Sequence, residues 1–221
     1  MIPSTTTPPL FRGDFEAHVT VHASQDDDVR RLERHAADHG LKFTHILLDR
    51  GRTPSQPMLT LRRSGPLPQV AAAVEDTVQD LTAAGFTVVR TKIEAAPWAE
   101  GVPGTDEAAK ALGGRYYFEH HVKLLLDPGT DTTATTALAA AHSAHLSRNA
   151  RRVRPDGRTE RFVTQRCRLV GARTAGARLD ALVTALRSGG HTTESVEREF
   201  VVHDSDESLD AGWIDEKDGE A

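Results

Sequence analysis

The chain holds one cysteine in 221 residues. It cannot close an internal disulfide, and nothing in it calls for an oxidising compartment. Cys167 lies in an apolar, strand-like run and reads as a small buried hydrophobe rather than a nucleophile. No apolar stretch approaches the roughly 20 residues of a membrane helix. The opening residues, MIPSTTTPPLF, show no basic region followed by an apolar run, so a secretory leader is not expected and a cytoplasmic location is. A basic excess is also missing. With 27 Lys and Arg against 32 Asp and Glu the formal net charge is −5, which argues against a general nucleic-acid coat protein. There is no phosphate loop, dinucleotide fingerprint, nucleophile elbow, zinc-protease helix or paired-cysteine motif, so no cofactor and no dedicated metal motif is called for.

What is present is periodicity. Residues 15–21, FEAHVTV, alternate apolar and polar as a half-buried strand does. Residues 26–39 read as a helix, with Asp26, Asp27 and Asp28 at its positive end and Gly40 as its stop. Strands follow at 41–49 and 58–63, a helix at 67–84 and a strand at 87–95. That order is βαββαβ, the ferredoxin-like arrangement. A Pro- and Gly-rich linker covers roughly 97–114. The order then repeats, with strands at 116–127, 149–154, 160–170 and 195–202 and helices at 132–147 and 177–188. The domain expectation is a disordered tail over 1–11, repeats over 12–98 and 115–203 joined by 99–114, and an acidic tail over 204–221. In that tail Trp213 and Ile214 are the large apolar residues, and Trp213 is expected to dock it on the body.

Two motifs recur in register. Phe15–Val19 (FEAHV) matches Phe118–Val122 (FEHHV), and Met58–Arg62 (MLTLR) matches Phe162–Arg166 (FVTQR). The fold class expected is therefore α+β, an internal duplication of two ferredoxin-like units. Strand side chains alternate between faces. Phe15, Ala17 and Val19 take the helix side, which leaves Glu16 and His18 on the other face. Parity adds Thr60, Arg62, Arg90 and Lys92 from the first half, and Glu119, His121, Lys123, Thr164, Arg166, Glu197 and Glu199 from the second. Two such polar faces can meet in a shared cleft or close into a barrel.

Mixed His, carboxylate and Arg in a partly dry pocket is material for acid–base chemistry on an anion. The first expectation is an enzyme of hydrolase or lyase type acting on a small phosphorylated or carboxylated molecule. His18 and His121 would be acid and base, and Glu16 and Glu119 would orient them. Arg62 and Arg166 would grip the anion, with Arg90, Lys92 and Lys123 beside them, and Thr60 and Thr164 would position substrate. His18–Val21 resembles the His-x-Thr-hydrophobic motif of 2H phosphoesterases, which pair two such motifs across a two-lobed fold. The second copy reads His-Val-Lys-Leu, with Lys123 in the hydroxyl position. A second expectation is a divalent metal held by His18, His121 and Glu residues. Paired-module metalloenzymes of the glyoxalase and extradiol dioxygenase kind are similar in taking His and Glu from strands. A third is a non-catalytic module that binds a ligand or partner. RNA-recognition domains share the βαββαβ order, but they stack bases on strand aromatics, and the corresponding positions here hold His, Glu, Thr and Arg, so nucleic acid is not the expected partner.

Overall fold

The computed structural model describes residues 9–214. The rest of the expected tails, 1–8 and 215–221, lies outside the described residues. The first half runs β1 (Arg12–Val21), α1 (Asp26–Asp38), β2 (Lys42–Leu48), β3 (Ser55–Pro66), α2 (Leu67–Ala83) and β4 (Val88–Ala95). A short helix, α3 (Asp106–Leu112), follows. The second half runs β5 (Tyr117–Leu126), α4 (Thr133–Ala141), β6 (Ala144–Val153), β7 (Thr159–Arg168), α5 (Ala172–Ser188) and β8 (Thr192–Asp204). A 3-10 turn over Glu207–Asp210 follows β8.

The eight strands form one closed antiparallel barrel in the order β1-β3-β2-β6-β7-β5-β8-β4. Each half contributes the strand order of a ferredoxin-like sheet, β4-β1-β3-β2 and β8-β5-β7-β6. The halves join at two seams, β2 against β6 and β4 against β8. The duplication and the α+β class are thus present as expected, and of the two geometries foreseen the barrel is the one adopted.

The alternation in the strands explains the closure. Phe15, Ala17 and Val19 are buried on the outside of the barrel and pack with Leu32, Val70, Val74 and Leu81 of α1 and α2. In the second half Val122, Leu124 and Val163 pack with Ala139 of α4 and Leu179, Leu182 and Leu186 of α5. Each fully buried aliphatic side chain contributes about 2 kcal/mol by area. The apolar faces turn outward to the helices, so the polar faces turn inward. Cys167 is buried in the first cluster, as expected.

Several local expectations are corrected. The helix expected over 132–147 stops at Ala141, because Ser143 turns left-handed at φ 52° and releases residues from 144 onward as strand β6. That strand is needed to pair with β2 and close the seam. α5 begins at Ala172 rather than near 177. The linker is not structureless. Thr105 caps α3 with its hydroxyl at 3.3 Å from the Ala108 amide. It also lies so close to Gly171 that a Cβ there would come within 2.4 Å of the Thr105 backbone. The tail boundaries also move inward. Phe11 is a core residue, ringed by Tyr116 and Phe200. Residues 204–214 fold back onto the body, where Trp213 is buried as foreseen and its Nε1 donates to the Leu146 carbonyl at 2.8 Å. Among the described residues no helix is long and apolar enough to cross a membrane.

Candidate functional site

The barrel encloses a cavity of about 230 Å³. Its wall includes Glu16, His18, Arg90, Lys92, Glu119, His121, Lys123, Thr164 and Arg166, so most of the residues selected by strand parity meet there. The two ends differ. Thr20, Gln56, Arg90 and Arg166 lie where β1 ends, β3 and β4 begin and β7 ends. That end is crossed by residues 205–214, which contribute Asp210 and Trp213 to the wall. At the other end are Glu16, Lys42, Glu197 and Glu199, with the Lys42 side chain 54% exposed.

The two histidines sit in matching sockets. His18 Nδ1 is 3.0 Å from Thr60 Oγ1, and its Nε2 is 3.1 Å from Glu94 Oε2. His121 Nδ1 is 3.0 Å from Thr164 Oγ1, and its Nε2 is 3.3 Å from Glu119 Oε1 and 3.4 Å from Glu199 Oε2. Register explains the match. Across from each His on the third strand stands a Thr, and each Glu before the His faces a Glu on the fourth strand, Glu16 opposite Glu94 and Glu119 opposite Glu199. One pair breaks the symmetry, for His18 faces Lys92 where His121 faces Glu197.

The cations are engaged by carboxylates. Lys92 Nζ lies 2.6 Å from Glu94 Oε1 and also contacts Glu119. Arg166 Nε donates to Glu119 Oε2, and its Nη2 to Asp210 Oδ2, both at 2.5 Å. Arg90 is held by Asp204 and Asp210, and Tyr117 adds its hydroxyl to Asp204 at 3.1 Å. Lys123 lies 3.9 Å from Glu160 and over the Phe162 ring. Arg62 departs from its expected role. It pairs with Glu16 at 2.7 Å, is 77% exposed and is not part of the cavity wall.

Electrostatics follows from this pairing. Burial would lower the His121 pKa, but hydrogen bonds to Glu119 and Glu199 override it and raise it to about 10. Burial would raise Glu119, yet Arg166 and Lys92 hold it well below the ordinary carboxylate value. Glu94 is likewise lowered against burial, by Lys92 and His18. Glu199 is the exception. Burial and then the charge of Glu94 push its carboxyl up, and His121 does not cancel them. His120, buried on the outer face beside Gln165 at 3.3 Å, is depressed to about 4, chiefly by burial.

Ligand atoms of Glu94, Glu119 and His121 lie within 4.8 Å of one another. The Lys92 ammonium bridges the two carboxylates of this set, so a divalent cation there would have to displace it.

Parity alone missed several partners. Glu94 and Glu199 share the parity of the site but had no part in the assigned roles. Asp204, Asp210 and Trp213 fell in the segment read as a disordered tail. Trp213, a large apolar side chain in an otherwise acidic run, marked that segment as docked, but nothing in the run marked Asp204 or Asp210 as the carboxylates that reach the arginines.

No family model matches the chain, and no curated protein sequence does. Solved structures align with most of it. The acetolactate synthase small subunit from Thermotoga maritima is 15% identical over 86% of this chain and 94% of that one, with a TM-score of 0.29. The regulatory subunit of aspartate kinase from Thermus thermophilus is 14% identical over 80% and 94%, with a TM-score of 0.31. Chlorite dismutase from Candidatus Nitrospira defluvii is 15% identical over 90% and 93%, with a TM-score of 0.26. The superpositions are loose.

The expectation of an acid–base enzyme is corrected. Within the barrel itself, hydrogen bonds to Glu119 and Glu199 raise the His121 pKa to about 10, both ring nitrogens of His18 are engaged, and Glu16 and Glu119 are ion-paired with Arg62 and Arg166. The likeness to the two-histidine phosphoesterase motif stops at the sequence, since the hydroxyl that meets each histidine comes from the third strand and not from its own motif.

Proposed function

We propose that this chain is a non-catalytic module that binds a small molecule inside its barrel, and that the ligand carries a positively charged group. One observation carries the reading. Seven carboxylates face the cavity against five Lys or Arg side chains and the protonated His121, with the exposed Arg62 acting from outside the wall, and the shortfall of positive charge is local. It falls at Glu197 and Glu199, near the end opposite Asp210. Glu199 is pushed toward protonation by burial and by Glu94, and Glu197 has no ion pair or hydrogen bond among the described residues. An ammonium or guanidinium there would gain charge-assisted hydrogen bonds in a partly dry site, where they are worth more than in water. Phe43, Met58 and Phe162 line the same cavity and suit a short apolar stem. The anionic ligand foreseen from the cations finds them already neutralised at this end.

Thermal shift over small amines, with matched neutral alcohols and carboxylates, tests the idea. Amines are expected to raise the melting temperature. Glu199→Gln and Glu197→Gln should each cut amine affinity about tenfold or more, since a buried charge-assisted bond is worth roughly 1.5–3 kcal/mol. Stabilisation by carboxylates with amines silent would sink the cationic assignment, and consumption of a bound amine would sink the non-catalytic one.

A further inference from the structure

We propose that Arg90, Arg166 and Gln56 form a carboxylate-binding site at the other end of the barrel, and that Asp210 of the chain's own C-terminal segment fills it as an internal ligand. The inference needs the barrel to be a ligand cavity. It does not need the ligand to be cationic.

Three donors from β4, β7 and β3, drawn from both halves, converge on one carboxylate. Arg90 Nη1 is 3.0 Å and Arg166 Nη2 2.5 Å from Asp210 Oδ2, and Gln56 Nε2 is 2.9 Å from Oδ1. All three donor side chains are buried. Each arginine already has a strand-borne or adjacent partner, Asp204 for Arg90 and Glu119 for Arg166. Asp210 adds to these partners, of which Glu119 is shared with Lys92 and His121. It also differs in origin, for it comes from a single 3-10 turn rather than from a strand of the wall. Apart from Asp210, the segment that delivers it is held to the body by Ser205 with Thr91 at 3.0 Å, Glu207 with Arg168 at 2.6 Å, Ala211 with the Arg52 amide at 2.9 Å and Trp213 with Leu146 at 2.8 Å.

Arg90, Arg166, Gln56 and Asp210 all line the main cavity. A molecule in the barrel with a carboxylate at this end can take the same three donors once Asp210 withdraws. Withdrawal with no replacement would strand three buried donors, which is costly. Departure of the segment and arrival of a carboxylate are thus coupled events.

The test uses the full chain with formate or acetate as probe and chloride at equal ionic strength as control. Asp210→Ala empties the cradle. It should gain a saturable rise in melting temperature of roughly 3–6 °C at formate tenfold above its Kd. Chloride should not reproduce the rise, and the unaltered protein should respond far less because its own carboxylate competes. Trp213→Ala loosens the segment with the cradle intact, and its formate response should lie between the two. It carries the test if Asp210→Ala fails to fold. If neither variant responds to formate more than the unaltered protein, or if chloride does as well, Asp210 is a structural anchor and the inference is overturned. Neither result bears on the amine panel, so the two readings fail separately.

Discussion

His18 and His121 engage threonine hydroxyls through the same ring nitrogen, Nδ1, at the same 3.0 Å, one in each half of the barrel. Equivalent sockets should have equivalent energies. Thr60→Val and Thr164→Val are each expected to cost about 1 kcal/mol, the usual net worth of one such bond. Urea unfolding of the two variants measures it. A large loss in one half with none in the other would show that the match is geometric only.

His120 and His121 are neighbours on one strand with opposite proton affinities. His121, raised to about 10, adds stability that is fully present below its unfolded value near 6.5 and is lost as pH rises through about 10. His120, depressed to about 4, favours the fold above the unfolded value and loses that contribution as pH falls toward 4. Ring-nitrogen NMR titration should find His121 protonated and His120 neutral throughout pH 6.5–8. Two similar midpoints near neutrality would refute both assignments.

Lys92 compensates Glu94 and Glu119, both buried. Lys92→Met should destabilise the protein by about 3–5 kcal/mol, because removing one partner strands the others. Its pH dependence should also reverse. In the unaltered protein both carboxyls are depressed, so their stabilisation is present above about 4.5 and lost on acidification. Without Lys92 they take up protons more readily, and mild acid should stabilise the variant. Thermal melts between pH 4 and 7 decide the sign.

Trp213 locks the C-terminal segment across one end of the barrel. Trp213→Ala is expected to cost about 3–5 kcal/mol if the segment stays and leaves a cavity, and less if it detaches. Limited proteolysis separates the cases, since detachment exposes residues 205–214 to cleavage while the barrel stays intact.

The duplication was legible because two motifs kept their spacing, and period-2 alternation alone puts Glu16 with His18 and Glu119 with His121 on the polar strand faces. Barrel closure was legible only as an option. It depends on the β2–β6 and β4–β8 seams, and pairing between distant strands leaves no local signature. β6 was hidden for a related reason. An Ala-rich run continues past His142, and only the left-handed turn at Ser143 ends the helix. The ion pairs of Arg62, Arg90 and Arg166 were not legible because parity shows which side chains meet and not which carboxylate claims each cation. Asp210 was missed because Trp213 shows that the segment docks and not which of its many carboxylates the docking delivers.

Lys92 and Glu197 occupy corresponding places in the two halves, opposite His18 and opposite His121. Two identical chains closing the same barrel would put the same residue at both places, so a lysine would be answered by a lysine and a glutamate by a glutamate. Joining the halves in one polypeptide lifts that restriction. The interior acquires a direction, with one end that supplies its own anion and another left short of a cation. A ligand lying along the axis would meet unlike surroundings at its two ends, so it would have one preferred orientation where a symmetric pair would offer two.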